Sequence, residues 1–293
     1  FKEGWQKYEF RESQKNKKLN NLKNINCKKW QGEILINKNL IIYSEQGIGD
    51  SIQFLRYIKF IKKQNTKIIL YINKNLKFLF SKIKEIDKLI FDEINLPKSS
   101  LYISIMSLPL IFIKNSYPPP VYNFFPTKFD RDIYWKNKLK SEKIKIGLAW
   151  QGDKKNNLSD YKRSIKIESF LPILNLKNFE FISLHIDTVL EDLHEINKKK
   201  KLINSFNNID LNAFEDTLSI IKNLDIIITV DTSIAHVAGT VGKETYVLLP
   251  FVPDFRWGLK KSNSKWYSKM KLFRQKKIYN WKEVILNIKN DLL

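Results

Sequence analysis

Residues 225–249, DIIITVDTSIAHVAGTVGKETYVLL, constrain the fold more than any other stretch of the chain. The apolar run at residues 225–230 is typical of a strand that is buried on both faces. Residues 234–241 predict a helix that ends at Gly242, and residues 244–249 predict a second buried strand. A strand, a helix and a strand in this order form a βαβ unit, which closes with a right-handed crossover. The pattern therefore predicts a parallel sheet covered by helices.

The polar residues that follow the first of these strands predict an anion-binding site. Asp231, Thr232 and Ser233 are residue types that cap helix starts. A helix that begins beyond a strand's carboxyl end presents unpaired N–H groups and the positive end of its dipole. Thr232 and Ser233 add hydroxyl donors, and His236 lies one turn further along. An ordinary βαβ unit with an ordinary helix cap would carry the same residues, and a lone histidine is often a capping or core residue, so this stretch leaves both interpretations open.

The length and charge of the chain narrow the class of protein. A chain of 293 residues is long enough for two domains, each with its own core. The formal net charge is +22, but only six of the 52 basic residues are Arg, and the Lys residues are spread along the whole chain. Proteins that read bases or phosphates favour Arg, so we expect no specific nucleic-acid binding. Where Lys is the default, an Arg indicates a place that needs a flat, two-pronged donor. Arg56, Arg163, Arg256 and Arg274 fall in or beside the stretches discussed here.

Other features bear on the location and completeness of the chain. No apolar run reaches the roughly 18 residues that a membrane-spanning helix needs. The single cysteine, Cys27, excludes an internal disulfide and a cysteine-based zinc site, and it favours a cytoplasmic protein. The sequence opens on Phe1 rather than Met, so we expect it to be a piece of something longer. Residues 1–30 are aromatic and charged without a strand pattern, which favours a helical or irregular lead-in.

A second informative stretch is the turn SEQGIGD at residues 44–50, which follows a short apolar run that predicts a buried strand. Gly47 and Gly49 would let the backbone turn sharply and approach a ligand, although the third glycine of the dinucleotide fingerprint is missing. Asp50 places a carboxylate at the start of an amphipathic helix predicted over residues 51–63. It is either a helix-capping aspartate or an acid or base that faces a ligand.

The remaining elements alternate between strands and helices, which predicts parallel sheets with helices on both faces. Strands are predicted at 40–43, 67–72, 89–91, 101–105, 144–149, 179–184 and 271–275, and helices from Ser169, at 213–223 and at 281–292. The proline-rich residues 116–126 predict a domain boundary. Asp130 and Asp132 form a D-x-D pair of the kind that can hold a divalent cation, but their position before a helix predicts a solvated helix start.

Two long loops follow strands of the second half, where parallel sheets bind ligands. Residues 150–165 carry Arg163 as their only cation other than Lys, and residues 250–267 are too many for a simple connection. The second loop contains Asp254, Arg256, Trp257, Trp266 and Tyr267. Its aromatic residues are typical of a carbohydrate or nucleotide wall, and they could equally bury the loop against its domain.

Several motifs in a fixed order resemble those of glycosyltransferase family 9, the heptosyltransferase-like module. They are EQGIGDSIQF, GLAWQG, KRSI, VDTSIAHVAG and the pair PDFRW with WYSKMKLFRQ. They are similar to the version at the carboxyl end of bacterial tetratricopeptide-repeat proteins, and the resemblance covers nearly the whole chain. It implies an α/β architecture, the GT-B fold, in which two Rossmann-like lobes with parallel sheets flank a cleft. The carboxyl lobe would hold a nucleotide-diphosphate sugar and the amino lobe the acceptor.

The resemblance also implies a division of the chain. Residues 1–30 would be the tail of a truncated, repeat-containing region, and residues 31–135 the amino-terminal acceptor lobe. Residues 143–278 would form the donor lobe, and we expect the terminal helix at 279–293 to pack back on the amino-terminal lobe.

Carried over residue by residue, Asp50 matches the proposed general base, and Gln46, Gly47 and Gly49 would form the acceptor-side turn. The donor-binding residues would be Trp150, Arg163, Asp231, Thr232, Ser233, His236, Asp254 and Arg256. The family requires neither a metal nor a cofactor, because the helix dipole and cationic side chains neutralise the diphosphate. The chain departs from the pattern at His185, where the group has Gln. It also departs at Lys261, Asn263, Lys265 and Ser268, where Arg, Asp, Pro and Pro are expected.

These features imply a metal-independent, inverting glycosyltransferase that uses a nucleotide-diphosphate sugar. The alternative is a non-catalytic GT-B-like binding or scaffold module fused to tetratricopeptide repeats. The expected partners are the nucleotide sugar and a glycan, lipid-linked saccharide or protein acceptor. The positive charge would also allow peripheral association with an anionic membrane surface.

Overall fold

The structure is a computed structural model, and it divides into two compact units, Phe1–Pro126 and Thr127–Leu293. It describes residues 2–13, 17–97, 100–113, 118–119, 121, 123, 125–126, 128–152, 162–185, 190–198, 202–206 and 214–293. Phe1, parts of the expected boundary at residues 116–126 and residues 153–161 of the first long loop lie outside these ranges.

The first unit contains a parallel sheet with helices. Its strands are β1 (Lys28–Lys29), β2 (Leu35–Ile36), β3 (Leu40–Tyr43), β4 (Lys63–Gln64), β5 (Ile68–Tyr71), β6 (Lys88–Ile90) and β7 (Leu101–Ser104). Its α-helices are α1 (Lys2–Tyr8), α2 (Lys17–Asn24), α3 (Ile48–Phe54), α4 (Lys77–Phe80) and α5 (Leu108–Phe112), with 3₁₀ turns at Glu9–Ser13, Leu55–Phe60, Lys74–Leu76 and Ile105–Ser107. The sheet order is β1-β7-β3-β5-β6, and β2 pairs separately with β4. Every pairing is parallel.

Two predictions for the first unit needed correction. The lead-in includes the edge strand β1, whose two lysines carry no apolar signal. The helix predicted over residues 51–63 starts earlier, at Ile48, and changes to a 3₁₀ helix at Leu55. Its apolar face is confirmed, because Ile52 and Ile58 are buried.

The second unit has a larger sheet. Its strands are β8 (Ile144–Ala149), β9 (Phe179–Ser183), β10 (Ile203–Asn204), β11 (Ile226–Val230), β12 (Glu244–Leu249) and β13 (Met270–Arg274). Its α-helices are α6 (Phe129–Lys138), α7 (Leu171–Leu174), α8 (Leu190–Asn197), α9 (Glu215–Asn223), α10 (Ser233–Val241) and α11 (Lys282–Leu292), with 3₁₀ turns at Ile167–Phe170 and Phe255–Trp257. The strands are parallel throughout and lie in the order β10-β9-β8-β11-β12-β13.

The core of the second unit shows where its helices belong. The sheet strands contribute buried apolar residues on both faces, as expected for a parallel sheet. Val284, Ile285 and Ile288 of α11 are buried in this core, so the buried face of the terminal helix lies in the second unit. Ser169 does not start a helix as predicted, because it lies inside the 3₁₀ turn that precedes α7.

Helix α6 is tied to α9 by a buried polar cluster. The Asp216 carboxylate accepts hydrogen bonds from the Arg131 guanidinium and, at 2.8 Å, from Trp135 Nε1. Lys222 Nζ lies 3.2 Å from Asp132 Oδ2. The D-x-D pair is therefore at a helix start, as predicted, and Asp132 makes an ion pair within the second unit.

Candidate functional site

Strands β8 and β11 mark the point where the second sheet reverses its order. From β8 the chain proceeds outward through β9 and β10, and it returns on the other side of β8 as β11, followed by β12 and β13. Open parallel sheets bind ligands at such a point, beyond the carboxyl ends of the strands. The register places Ala149 opposite Thr229, so Trp150 and Asp231 lie close to each other along the carboxyl edge. This edge is the candidate site.

Helix α10 starts directly after β11 and brings unused backbone donors to this edge. Its N-cap residue, Thr232, is extended (φ −136°, ψ 176°) and makes no side-chain capping hydrogen bond. The Thr232 and Thr229 hydroxyls are 3.3 Å apart, and the Thr229 hydroxyl also donates to the Val230 carbonyl over 2.8 Å. Thr232 and Ser233 are both half-buried. A helix start whose N–H groups are not capped by its own side chain is suited to bind an anion.

Arg163 adds a positive charge beside this helix start. Its Nη1 donates to the main-chain oxygen of Asp231 over 2.6 Å, and the residue is partly exposed. A guanidinium group keeps its charge at all ordinary pH values and presents several N–H donors in one plane. The structure thus brings Arg163 together with the residues at 231–233, although they are far apart in the sequence.

The loop after β8 is held by a histidine. Trp150 is buried, its main-chain N–H donates to His185 Nε2 over 2.8 Å, and the two rings meet edge to face with centroids 4.2 Å apart. Because Nε2 accepts this bond, the neutral imidazole carries its proton on Nδ1. His185, where the family resemblance predicts Gln, thus supplies an acceptor for the backbone at Trp150.

The Asp231 carboxyl is a buried acid at the candidate site. Burial raises its pKa, and the positive charges of Arg256 and Arg163 act in the opposite direction. Burying a carboxylate costs free energy unless it is well paired. Acids with raised pKa values cluster at functional sites, so this residue supports the assignment of the edge.

His236 lies in the core of the site rather than at its surface. It is buried, its Nδ1 is 2.9 Å from the Tyr267 hydroxyl, and its ring stacks on Trp257 with centroids 5.6 Å apart. Tyr267 packs so closely on α10 that a Cβ atom at Gly239 would lie 2.4 Å from its Cδ1. The glycine in the VDTSIAHVAG motif is therefore needed to make room for this tyrosine. A direct role of His236 toward a ligand stays a prediction.

The loop after β12 is pinned by charged groups. Asp254 accepts the N–H of Arg256 over 3.0 Å, and its carboxylate also lies 3.0 Å from Arg256 Nη1. The Arg274 guanidinium donates to the main-chain oxygens of Trp257 (2.6 Å), Gly258 (2.9 Å) and Lys261 (3.0 Å). These contacts show that Asp254, Arg256 and Arg274 stabilise the loop.

Three aromatic residues in the second part of this loop are turned inward. Trp257, Trp266 and Tyr267 are all buried. The sequence left two roles open for these residues, a wall for a carbohydrate or nucleotide and burial of the loop against its own unit. Burial of the loop is the role observed for these three side chains.

Several buried donors along the carboxyl edge make no hydrogen bond in the part of the chain that the structure describes. They are Trp150 Nε1, Gln151 Nε2 and Gln275 Nε2. All three are N–H groups, and they follow β8 and β13. Buried polar groups are nearly always paired, so an acceptor at this edge, from water or from an anionic ligand, would satisfy them. Gln151 and Gln275 are missing from the predicted site residues, although Gln151 lies in the GLAWQG motif and Gln275 in the motif WYSKMKLFRQ, because a glutamine has no distinctive chemistry before the strand order places it.

In the first unit, Asp50 acts at a helix start. It is the third residue of α3, is half-buried, and its Oδ2 accepts the N–H of Gly47 over 2.8 Å. The positive φ value in this turn (57°) belongs to Gln46, and neither Gly47 nor Gly49 takes one. A Cβ atom at Gly47 would lie 3.1 Å from Asp50 Oδ2, so this glycine provides room for the carboxylate. The capping role of Asp50 is observed, and its role as a base stays a prediction.

The described residues contain no group of three or more His, Cys, Asp or Glu side chains placed to hold a metal ion. Within the same residues, no helix is long and apolar enough to cross a membrane.

Solved structures resemble this chain over most of its length. A glycosyltransferase family 9 protein from Veillonella parvula has a TM-score of 0.61 at 11% identity, covering 89% of this chain and 91% of its own. The E. coli ADP-heptose lipopolysaccharide heptosyltransferase II has a TM-score of 0.57 at 12% identity, covering 86% and 98%. The E. coli heptosyltransferase WaaC, solved with ADP, has a TM-score of 0.59 at 8% identity, covering 87% and 98%.

The chain has the GT-B fold. At these identities the likeness establishes the fold alone, with two Rossmann-like units built on parallel sheets. Neither a family model nor a curated protein sequence matches the chain. The second unit forms the carboxyl-terminal part of this fold, and it contains the junction of β11 and α10.

We expect Asp231→Asn to stabilise the ligand-free GT-B chain near neutral pH. Burial raises the folded-state pKa of Asp231, so ionising this carboxyl destabilises the native state as the pH rises from the unfolded pKa through the folded one. The amide carries no charge and avoids that loss. The melting temperature should rise by about 2–4 °C for each kcal/mol of unfolding free energy that the substitution restores. This rise should disappear below about pH 4, where the Asp231 carboxyl is protonated in both the folded and the unfolded chain.

Glu3→Gln is the matched control, because it removes the same charge from an exposed side chain. A lower melting temperature for Asp231→Asn at pH 7, or a gain that does not depend on pH, would show that the Asp231 carboxylate is well stabilised by its neighbours.

Proposed function

We propose that this chain is a glycosyltransferase that moves a hexosyl or heptosyl group from a nucleotide-diphosphate sugar to an acceptor hydroxyl. The observation that supports the proposal most directly is the uncapped start of α10 with Arg163 bound beside it at the carboxyl edge of the second sheet. Such a place offers backbone N–H groups, hydroxyl groups and a fixed positive charge to a diphosphate.

The leaving group explains why these donors would matter. When the glycosidic bond to the donor breaks, the bonding electrons move to the diphosphate oxygen and its negative charge grows. Backbone N–H groups of α10, the hydroxyls of Thr232 and Ser233, and Arg163 would stabilise that charge. Donors that are already in place need little reorganisation during the reaction, which is the main source of electrostatic catalysis. Trp150 and His236 would then shape the donor site from the core, and Asp231, Asp254 and Arg256 would hold its loops.

Asp50 is our candidate for the general base. Its carboxylate would take the proton from the acceptor hydroxyl as that oxygen attacks the anomeric carbon, while the bond from this carbon to the diphosphate oxygen breaks. A single displacement of this kind inverts the configuration at the anomeric carbon. Gln46, Gly47 and Gly49 would form the acceptor-side turn around Asp50.

The proposed mechanism uses neither a metal nor a cofactor, since the helix start and Arg163 supply the positive charge. The fold itself does not decide this point, because the structurally similar E. coli glycosyltransferase TibC, with a TM-score of 0.55, is iron-containing. Transfer that persists in excess EDTA would support metal independence, and its loss would contradict it. WaaC, with a TM-score of 0.55 to this chain, was solved with ADP-2-deoxy-2-fluoro-heptose, so ADP-sugars are the first donors to test.

Arg163→Ala should weaken binding of the nucleotide sugar by about 1.5–3 kcal/mol, the usual value of a charged hydrogen bond. This corresponds to a rise in Kd of roughly 10- to 150-fold. The donor is first chosen by a thermal-shift screen of common nucleotide sugars, because a ligand that binds the native state raises the melting temperature. Lys162→Ala is the matched control, since it removes the neighbouring, exposed positive charge. Equal affinities for Arg163→Ala and the unaltered chain would exclude Arg163 from the donor site.

Asp50→Asn should lower kcat by about 10²–10⁴-fold, the usual contribution of a general base. The amide oxygen can still accept the N–H of Gly47, so the helix start and the melting temperature should change little. Donor affinity should stay within about twofold. Unchanged turnover would remove Asp50 from the mechanism. Donor binding without transfer by the unaltered chain would instead favour the non-catalytic binding or scaffold module.

We also propose a cytoplasmic location with peripheral contact to an anionic membrane surface. The loop after β12 exposes four large apolar side chains, Phe251 (48%), Val252 (75%), Phe255 (49%) and Leu259 (75%). Lys260, Lys261 and Lys265 are exposed in the same loop. A rigid apolar surface beside positive charges is suited to the interface of an anionic bilayer. This contact would be compatible with a lipid-linked saccharide as acceptor, while a glycan or a protein acceptor stays open.

Sedimentation with vesicles tests the membrane contact. The double substitution Phe251→Ser and Phe255→Ser should reduce binding to vesicles that contain anionic lipid, at a salt concentration of about 0.5 M that screens the net charge. Ile34→Ser with Ile36→Ser is the control, because these two side chains are also exposed, at 62% and 52%, but lie in the first unit. Equal binding by both double variants would contradict a role for the loop.

A further inference from the structure

We propose that Tyr8 and Arg11 are positioning residues that hold the turn carrying Asp50. With Lys18 they lie in residues 8–13 and 17–18, the part of the lead-in that we call the clamp segment. The inference rests on the proposed function, because the turn matters for transfer only if Asp50 is the base. The lead-in would then be part of the working enzyme, although it lies outside the motifs that suggested the function.

Three consecutive residues of the turn are each held by one residue of the clamp segment. The pairs are Tyr8 with Gln46, Arg11 with Glu45 and Lys18 with Ser44. The turn is therefore bound along its length by groups at least 26 residues away in the sequence. Each of the three turn residues therefore has its own side-chain contact with the clamp segment.

Arg11 makes the central contact of the clamp. Its side chain and that of Glu45 are 7% and 6% exposed, so the ion pair is almost fully buried. Arg11 Nε and Nη2 reach Glu45 Oε1 over 2.9 and 2.8 Å, Nη2 also reaches Ser107 Oγ over 2.7 Å, and Nη1 reaches Glu9 Oε1 over 2.7 Å. A planar guanidinium can satisfy these acceptors together, which an ammonium group cannot do with the same geometry.

The partner of Arg11 is tied to the reversal point of the first sheet. β3 and β7 are neighbours, and the chain runs outward from β3 through β5 and β6 before returning as β7. Glu45 follows the end of β3, and its carboxylate also accepts a hydrogen bond from Ser104, the last residue of β7. The clamp thus fastens the turn to the rigid carboxyl edge of this sheet.

The partner of Tyr8 is Gln46, which is one residue closer to Asp50 than Glu45, the partner of Arg11. The Tyr8 hydroxyl lies 2.8 Å from Gln46 Nε2 and 3.1 Å from Gln46 Oε1. Gln46 has a positive φ of 57°, a conformation that costs free energy in residues other than glycine and needs support from its surroundings. The next residue, Gly47, donates its N–H to Asp50 Oδ2 over 2.8 Å. A continuous series of contacts therefore runs from Tyr8 through Gln46 and Gly47 to the carboxylate.

Such support matters for a base, because proton transfer requires the carboxylate within hydrogen-bond reach of the acceptor hydroxyl. A displacement of about 1 Å is enough to cost roughly 10²-fold in rate. A segment that only stabilised the fold would change the melting temperature, and it would leave kcat unchanged in the molecules that are folded.

The test compares Tyr8→Phe and Arg11→Lys with the matched control Arg131→Lys. Tyr8→Phe removes only the hydroxyl, and Arg11→Lys keeps the charge and loses the fork. Arg131 also binds a buried carboxylate, that of Asp216, and both residues belong to the second unit. Two readouts are measured, namely hydrogen exchange of the peptide over residues 44–54 and the steady-state kinetics of transfer.

For both clamp variants we expect about tenfold faster exchange in residues 44–54 and no change in residues 225–241. We expect kcat to fall roughly 10- to 100-fold, with the donor KM within about twofold. The control should lower the melting temperature but leave kcat and the exchange of residues 44–54 unchanged. Unchanged exchange in the clamp variants, or a kcat that does not fall below that of the control, would overturn the proposal.

The exchange measurement separates this proposal from the proposed function. If the unaltered chain transfers no sugar, the function of Asp50 is wrong, and the exchange of residues 44–54 still decides whether Tyr8 and Arg11 hold the turn. If transfer occurs and Asp50→Asn abolishes it while Tyr8→Phe and Arg11→Lys behave like the control, the function stands and the clamp proposal fails.

Discussion

The junction between a fully buried parallel strand and the helix that follows it constrains the whole second unit. A strand buried on both faces needs parallel neighbours, and all of them end at the same edge. At the end of β11 the backbone passes directly into α10, whose first N–H groups are not used by a side-chain cap. Arg163 binds the backbone at this junction, and the Trp257 and Tyr267 rings pack on α10 through His236. The edge therefore concentrates N–H donors around one buried acid, Asp231.

This concentration of donors has a cost in stability. A buried carboxyl with a raised pKa and several buried N–H groups without a partner would be removed by selection for stability alone. Natural chains break the rules of local satisfaction at places where a ligand supplies the missing partner. The described core of the second sheet is well filled with apolar side chains, so these donors belong to a closely packed unit.

Arginine has a consistent use in a chain that otherwise relies on lysine. Arg11 binds Glu45, Arg56 binds the backbone oxygens of Gln53 and Pro119, Arg131 binds Asp216, and Arg274 binds three carbonyls of one loop. In each case the planar guanidinium joins segments of the same unit by reaching more than one acceptor, or one acceptor with two N–H groups. The expectation that each Arg indicates a need for such a donor is supported. Its extension to ligands now depends on Arg163, whose guanidinium lies at the start of α10.

Local sequence patterns were enough to predict the parallel sheets, the βαβ unit at residues 225–249 and the end of a helix at Gly242, which takes the left-handed φ of 79°. These features follow from local rules, because buried strands are runs of β-branched residues and a helix end favours glycine. The sequence also placed Asp50 at a helix start, but it could not distinguish a cap from a base. The burial of particular aromatic residues, the packing of α11 in the core of the second unit and the positive φ of Gln46 became known from the packed fold. The tertiary structure also joined Tyr8 and Arg11 to Gln46 and Glu45, because contacts between residues distant in sequence depend on strand order and register, which no local pattern encodes.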